Sequence, residues 1–199
     1  MAPPVRERNN KIVWVTKQLS KLLLFPFFRI KTEGLENISD KSSFILTPKH
    51  QRWEDIPLLS IATPRPLYYI AKYELFVNPL AGWILSSLGG IPLNRSHPLE
   101  SRQSFKVMLG RLKEGEGVVI FPEGTYFRDR VGPGRRGMIK MIRSRLRVPF
   151  IPVGIRYIRA GRSMLVRIHF GESIYDDPAM TTEVFLNQIM KEIERLSGF

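Results

Sequence analysis

Along this chain the apolar positions alternate between short continuous runs and stripes of helical spacing. The runs at 44–46, 67–71, 118–121 and 148–157 are rich in β-branched and aromatic residues and predict buried strands. Shorter strands are predicted at 28–31 and 90–95. Over 164–170 the pattern alternates, placing Val166, Ile168 and Phe170 on one face. Between these lie helical patterns: 55–62; 78–88, with Asn78 as cap and Pro79 at the first position; 99–113, with a stripe of Phe105, Met108, Leu109 and Leu112; 135–147, with Met138, Ile139, Ile142 and Leu146; and 182–196, with Phe185, Ile189, Ile193 and Leu196. Strands alternating with helices predict an α/β fold: one domain with a mostly parallel mixed sheet flanked by helices. Two prolines in 148–157 predict an irregularity or a sheet edge there.

Ahead of the sheet, Ile12, Val15, Leu19, Leu22 and Leu23 fall within one stripe at about 100° per residue, and Lys17 and Lys21 lie opposite. Pro26 ends the pattern. The longest apolar run, 22–28, has seven residues, against the ~20 that a membrane-spanning helix needs. A basic amphipathic helix with Trp14 and a cluster of Phe25, Phe27 and Phe28 has the make-up of a helix lying in a membrane interface. Packing against the core remains the other reading. The chain is divided accordingly into a membrane-surface helical segment, 1–28, and an α/β domain, 29–199.

Composition narrows the chemistry. With 199 residues and no cysteine, the chain can bury a core unaided and has no disulfide framework, thiolate metal site or acyl-cysteine intermediate. Three scattered histidines give no metal site and no cofactor is expected. The formal charge of +13 is uneven: 128–147 holds eight Lys or Arg and one acid. Such a field favours anionic lipid, nucleic acid or phosphorylated partners. In 135–147, Arg136, Lys140, Arg143 and Arg147 share one helix face, within about 60° of one another at ~100° per residue. That face is either solvated or a dock for a polyanion. His169 is expected to be an ordinary exposed residue.

The strongest chemical signal is at 43–57, SFILTPKHQRWEDIP. A buried strand stops at Pro48 and delivers His50 to its tip, with Asp55 five residues on. On one continuous helix the two would stand about 140° apart at ~100° per residue, so a turn must bring them together. A carboxylate accepting the Nδ1–H fixes the imidazole tautomer, leaves Nε2 as acceptor and steadies the imidazolium that forms on protonation. The pair is then a general base suited to a hydroxyl; a capping histidine is the plainer alternative. His50, Arg95 and Glu123 all fall at predicted strand ends, where α/β sheets gather function.

Four stretches in order, LTPKHQRWED, GGIPLNRS, FPEGT and VPFIPVGI, resemble the four motifs of the glycerolipid acyltransferase family, especially bacterial 1-acylglycerol-3-phosphate acyltransferases. TEGLENI, before the first, is similar as well, so the resemblance covers 30–157. It implies transfer of a fatty acyl group from acyl-CoA or an acyl carrier protein to the free hydroxyl of a lysophospholipid, giving phosphatidic acid. His50 would be the base, Asp55 its partner and Arg95 a phosphate ligand. Glu123, Gly124 and Thr125 would border the acceptor site. Pro149, Ile151 and Pro152 would wall the acyl-donor or acyl-chain site, with Arg136, Lys140 and Arg143 docking the donor. The implied setting is peripheral, on the cytoplasmic face of the cell membrane against anionic lipid.

Two positions depart from the family pattern. Lys49 replaces the frequent asparagine before the histidine, which puts a cation by the site. Tyr126 stands where FPEGTRS has its arginine, and Arg128 is the candidate substitute as phosphate ligand. The acceptor could therefore differ, with glycerol 3-phosphate or another lysolipid as alternatives. A non-enzymatic module binding nucleic acid or anionic lipid would also fit the charge. No nucleic-acid partner is expected, because no recognition motif is present.

Overall fold

The computed structural model of the chain describes residues 7–94 and 101–199. Among these, seven strands form one sheet: β1 (Phe28–Glu33), β2 (Phe44–Pro48), β3 (Tyr68–Lys72), β4 (Gly90–Leu93), β5 (Gly117–Val119), β6 (Phe150–Ala160) and β7 (Ser163–Phe170), in the order β1-β7-β6-β2-β5-β3-β4. The pairs are parallel except β6 with β7. The expected mostly parallel mixed sheet is therefore present, and it brings the carboxyl ends of β2, β3, β4 and β5 to one rim. β6 runs past that rim by several residues.

Among the described residues six α-helices flank the sheet: α1 (Asn10–Leu24), α2 (Asp55–Ala62), α3 (Pro79–Ser87), α4 (Arg102–Lys113), α5 (Arg136–Arg143) and α6 (Thr182–Ser197). On one face Met108 and Leu112 of α4, Ile139 and Ile142 of α5 and Phe185 and Ile189 of α6 pack on Ile45, Val118 and Phe150. On the other, Leu58 and Leu59 of α2 pack on Phe44, Leu46 and Ile151. Alternate residues of one strand thus feed two cores, which is why the central strands read as continuous apolar runs.

Local chemistry sets the helix ends. Asn78 caps α3 through its side-chain oxygen, with Pro79 in the first turn, and Thr181 caps α6, which closes on Gly198 at φ +69°. One alternative is decided and one expectation corrected. Of the irregularity or edge expected at the two prolines, β6 has the irregularity: it is an interior strand, and Pro149 and Pro152 are tolerated because its antiparallel ladder to β7 begins only at Val153. The basic helix expected over 135–147 ends at Arg143, where Ser144 begins a turn. The start of the helix expected at 99 lies outside the described residues.

The apolar stripe of α1 faces away from the sheet. Val13 alone in that helix is buried, while Trp14, Val15, Leu19, Leu22 and Leu23, with Phe25 and Phe27 after it, are 47–77% exposed. The helix is held instead by polar ties: Asn9 N–H to Ser87 O at 2.9 Å and Lys17 Nζ to Thr63 O at 2.7 Å. Just before it, Arg8 lies over the Tyr68 ring at 4.5 Å and pairs with Glu116 at 3.0 Å. Among the described residues no helix is long and apolar enough to cross a membrane.

Candidate active site

Leaving β2 at Pro48, the chain turns through 49–54 into α2, and Asp55, the first residue of that helix, folds back onto the turn. His50 Nδ1 stands 3.0 Å from Asp55 Oδ2. The same oxygen accepts the N–H groups of Gln51 at 2.6 Å and Arg52 at 2.8 Å, and Oδ1 accepts the Tyr157 hydroxyl at 2.6 Å. Asp55 is wholly buried and accepts at each of these contacts. A carboxylate there has no proton to give, so Nδ1 carries the proton and Nε2 is left to accept. The His50 side chain keeps 12% of its surface, enough for a substrate atom to reach it.

The imidazole lies between two aromatic rings. Phe121 stacks on it at 3.8 Å with 27° between planes, and Tyr126 meets it edge-on at 4.4 Å. The tyrosine that stands in place of the expected arginine thus packs against the His50 imidazole itself. Burial, with the Asp55 and Glu54 carboxylates nearby, raises the Tyr126 phenol above its usual range. Burial and its bond to Asp55 raise the Tyr157 phenol much further, so Tyr157 remains a donor at working pH.

Lys49 does place a cation beside the histidine, as expected, but not one open to a ligand: it is fully buried, 3.0 Å from both oxygens of an equally buried Glu123. Its ammonium also donates to Phe127 O at 2.6 Å and His50 O at 3.1 Å. Glu123 in turn accepts the His50 N–H at 2.8 Å and the Gly132 N–H at 2.7 Å. Desolvation lowers the Lys49 pKa, with the Glu123 anion opposing it. Glu123, expected to border the substrate, is spent on holding the histidine turn to the 123–132 loop.

The remaining expected residues divide. Gly124 adopts φ +69° and borders a mainly apolar cavity of about 270 Å³ between the strand ends and α4 and α5, whose lining includes Ile70, Phe105, Phe121, Arg135 and Met141. Thr125 and Arg128 are exposed on the following loop, and Arg136 and Lys140 are exposed on α5. Arg95 lies outside the described residues, next in sequence to Asn94 of the cavity wall. Arg143 is not available to a ligand: it pairs with Asp176 at 2.5 Å, bonds Met180 O at 2.6 Å and covers the Phe185 ring. Ile151 and Pro152 are buried in β6, and they and Pro149 are not part of the cavity wall.

Sequence reading missed Tyr157, Phe121 and the strut of Lys49 and Glu123. The signal was a lysine and a glutamate that each follow a proline at the end of an apolar run, where a solvated charge is not the sole possibility.

The Acyltransferase family model matches residues 29–156. A chloroplastic 1-acyl-sn-glycerol-3-phosphate acyltransferase of Brassica napus is 32% identical over 151 residues, 74% of this chain and 43% of that protein. The 1-acyl-sn-glycerol-3-phosphate acyltransferase of Bacillus subtilis is 30% identical over 180 residues, 83% of this chain and 88% of that one. The chain thus spans less than half of the plant relative and most of the bacterial one. The crystal structure of the 1-acyl-sn-glycerophosphate acyltransferase of Thermotoga maritima superposes with a TM-score of 0.74 at 23% identity, over 94% of this chain and 78% of that chain. At that identity the likeness speaks for the fold.

Proposed function

This chain belongs to the acyltransferase family, and from that premise we propose that it moves a fatty acyl group from a thioester to the free hydroxyl of 1-acylglycerol-3-phosphate, giving phosphatidic acid. The observation that carries this is the contact of His50 Nδ1 with a buried Asp55 at 3.0 Å, at a strand-end rim beside an apolar cavity.

His50 Nε2 takes the hydroxyl proton as the acceptor oxygen attacks the thioester carbonyl, and the carbonyl electron pair moves onto its oxygen. When the carbonyl re-forms, the C–S bond breaks and the imidazolium returns the proton to the departing thiolate. Ester and free thiol result, and no acyl-enzyme is needed. A positioned base of this kind contributes roughly 10²- to 10⁴-fold. Arg128 on the loop beside His50 and Arg95 after β4 are the proposed phosphate ligands, since the planar guanidinium suits a phosphate. Arg136 and Lys140 are proposed to meet the phosphates of coenzyme A or an acidic carrier protein. The outward apolar stripe of α1 supports docking on an anionic membrane surface at its cytoplasmic face.

The test is to incubate the purified protein with acyl-CoA and lysophosphatidic acid, following free thiol and product mass. His50→Ala should fold and lose turnover by orders of magnitude; undiminished turnover would remove the proposed base. A second reading keeps the chemistry and changes the acceptor to glycerol 3-phosphate or another lysolipid. It is favoured by Tyr126, which fills the place of a phosphate-binding arginine with an uncharged ring against His50. A panel of acceptors in the same assay separates the two.

A further inference from the structure

Helix α3 is built inside out. Its buried residues are Gly82, Ser86 and Ser87, while Leu80, Trp83 and Ile84, at the i, i+3 and i+4 spacing of one helix face, are 68%, 45% and 41% exposed. Gly82 is required there, because a Cβ would come within 2.7 Å of Phe76 O; without one, α3 lies close against the short helical turn Tyr73–Phe76 that precedes it. That turn and the residue after it add Leu75 and Val77, both exposed. Large apolar side chains are thus gathered over 75–84 and left uncovered by the described residues, and a contiguous apolar patch of that kind marks a contact surface.

We propose that α3 and this turn form a second membrane contact, which together with α1 holds the active-site rim against the bilayer. The sheet order fixes the side on which they lie. The crossovers from β2 through α2 to β3 and from β3 through α3 to β4 run the same way across the sheet, and the right-handed rule then puts α2 and α3 on one face. α1 lies over that face too: Lys17 ties it to Thr63 at the end of α2, and Asn9 N–H donates to Ser87 O at the end of α3 at 2.9 Å. Two neighbouring helices therefore turn apolar ridges outward on the same side of the molecule. Their chemistry suits anionic lipid. Each ridge has one tryptophan, Trp14 or Trp83, the residue that gathers at the headgroup level, and α1 carries Lys11, Lys17 and Lys21 with no acid. The place of α3 gives the contact a use. The turn follows β3 directly, at the carboxyl-end rim that also carries His50, so seating it in lipid brings the mouth of the site to the level from which a lysolipid would enter. The inference rests on the acyl transfer and the docking of α1 proposed above.

Trp14→Phe with Trp53→Phe leaves Trp83 as the last of the three tryptophans, and Trp53→Phe with Trp83→Phe leaves Trp14. Phosphatidylglycerol vesicles, with and without lipid brominated along its chains, are added to each protein. Trp83 emission should shift to the blue and be quenched by the brominated lipid, and so should Trp14 emission. Quenching of Trp14 with Trp83 silent would overturn the second contact and leave the docking of α1 intact. Quenching of Trp83 alone would keep it and reject α1, and silence of both rejects the two together. Leu80→Gln with Ile84→Gln keeps good helix formers on an exposed face; it should lower vesicle binding by about tenfold or more with thermal unfolding unchanged. The same variant should lose about tenfold in kcat/KM towards lysophosphatidic acid held in vesicles and keep its rate towards a short-chain, freely dissolved acceptor. Equal loss towards both forms would reject the lipid contact and assign α3 to the architecture of the site. If no acceptor is acylated the reaction fails, and the fluorescence still decides the contact. A dimer of the free protein that the two glutamine substitutions dissociate would give the patch to a second copy of the chain and reject the lipid assignment.

Discussion

Lys49 and Glu123 meet at 3.0 Å with no surface left to either side chain, one residue before the candidate base and two residues past Phe121, which stacks on it. The pair joins the β2 and β5 ends by salt bridge and also ties His50 and the 127–132 stretch through four bonds to backbone. Its value is positional, because desolvating two charges offsets most of their attraction.

Removing one partner should therefore cost more than a surface mutation. Lys49→Met leaves Glu123 buried and unpaired, and the expected loss is about 3–5 kcal/mol, read from urea unfolding. A loss under about 1 kcal/mol would mean that the pair is relaxed or wet in solution.

Tyr157→Phe keeps the ring and removes only the O–H given to Asp55 at 2.6 Å. Hydrogen bonds to charged groups contribute about 1.5–3 kcal/mol, so kcat should fall by roughly tenfold or more. A variant with unchanged kcat would show that Tyr157 only fills space.

The same tyrosine predicts an alkaline signature. Its folded pKa is raised by burial and by Asp55, so above the unfolded value of about 10 the native state holds a proton that the unfolded chain has lost. Its contribution is complete below pH ~10 and declines above it, by up to about 1.4 kcal/mol per pH unit. Lys49, whose pKa is lowered by burial, acts in the opposite sense in both proteins, so the comparison is between wild type and Tyr157→Phe. The variant should show the shallower alkaline loss in urea titrations at stepped pH.

On α5 the cations should separate by role. Arg136→Glu with Lys140→Glu should raise the KM of the thioester donor and leave stability within about 0.5 kcal/mol. Arg143→Ala removes the partner of a nearly buried Asp176, whose side chain is 9% exposed, and should lower Tm while the folded fraction keeps its donor KM. A donor KM that responds only to Arg143→Ala would reverse the assignment.

Leu22→Glu with Phe25→Glu places two charges where side chains are 72% and 77% exposed. Stability should hardly change, yet co-sedimentation with anionic vesicles should drop by more than tenfold, since each apolar side chain contributes about 1.5–3 kcal/mol when buried. Retained binding would move the membrane contact elsewhere.

What was readable in the sequence was local. The apolar run of β2 and the proline after it announced where the strand delivers His50, and the turn needed to bring Asp55 back is the one observed, with α2 at Asp55–Ala62 as expected. The supports were not readable because they are distant in the chain: Glu123 lies 74 residues from Lys49 and Tyr157 lies 102 from Asp55. Periodicity showed that α1 has an apolar side but not what that side meets. It showed that Arg143 shares a face with Arg136 and Lys140, but Asp176, which takes it out of that face, is 33 residues on.

The fastening of Arg8 between the Tyr68 ring and Glu116, together with the burial of Val13, bears on how the protein can be handled. Cutting away the first helix together with Arg8 would uncover one side of an aromatic ring of the sheet and leave Glu116 to Arg65 alone. Swapping the greasy outer side chains for polar ones, with the backbone left whole, is the safer route to a less sticky protein.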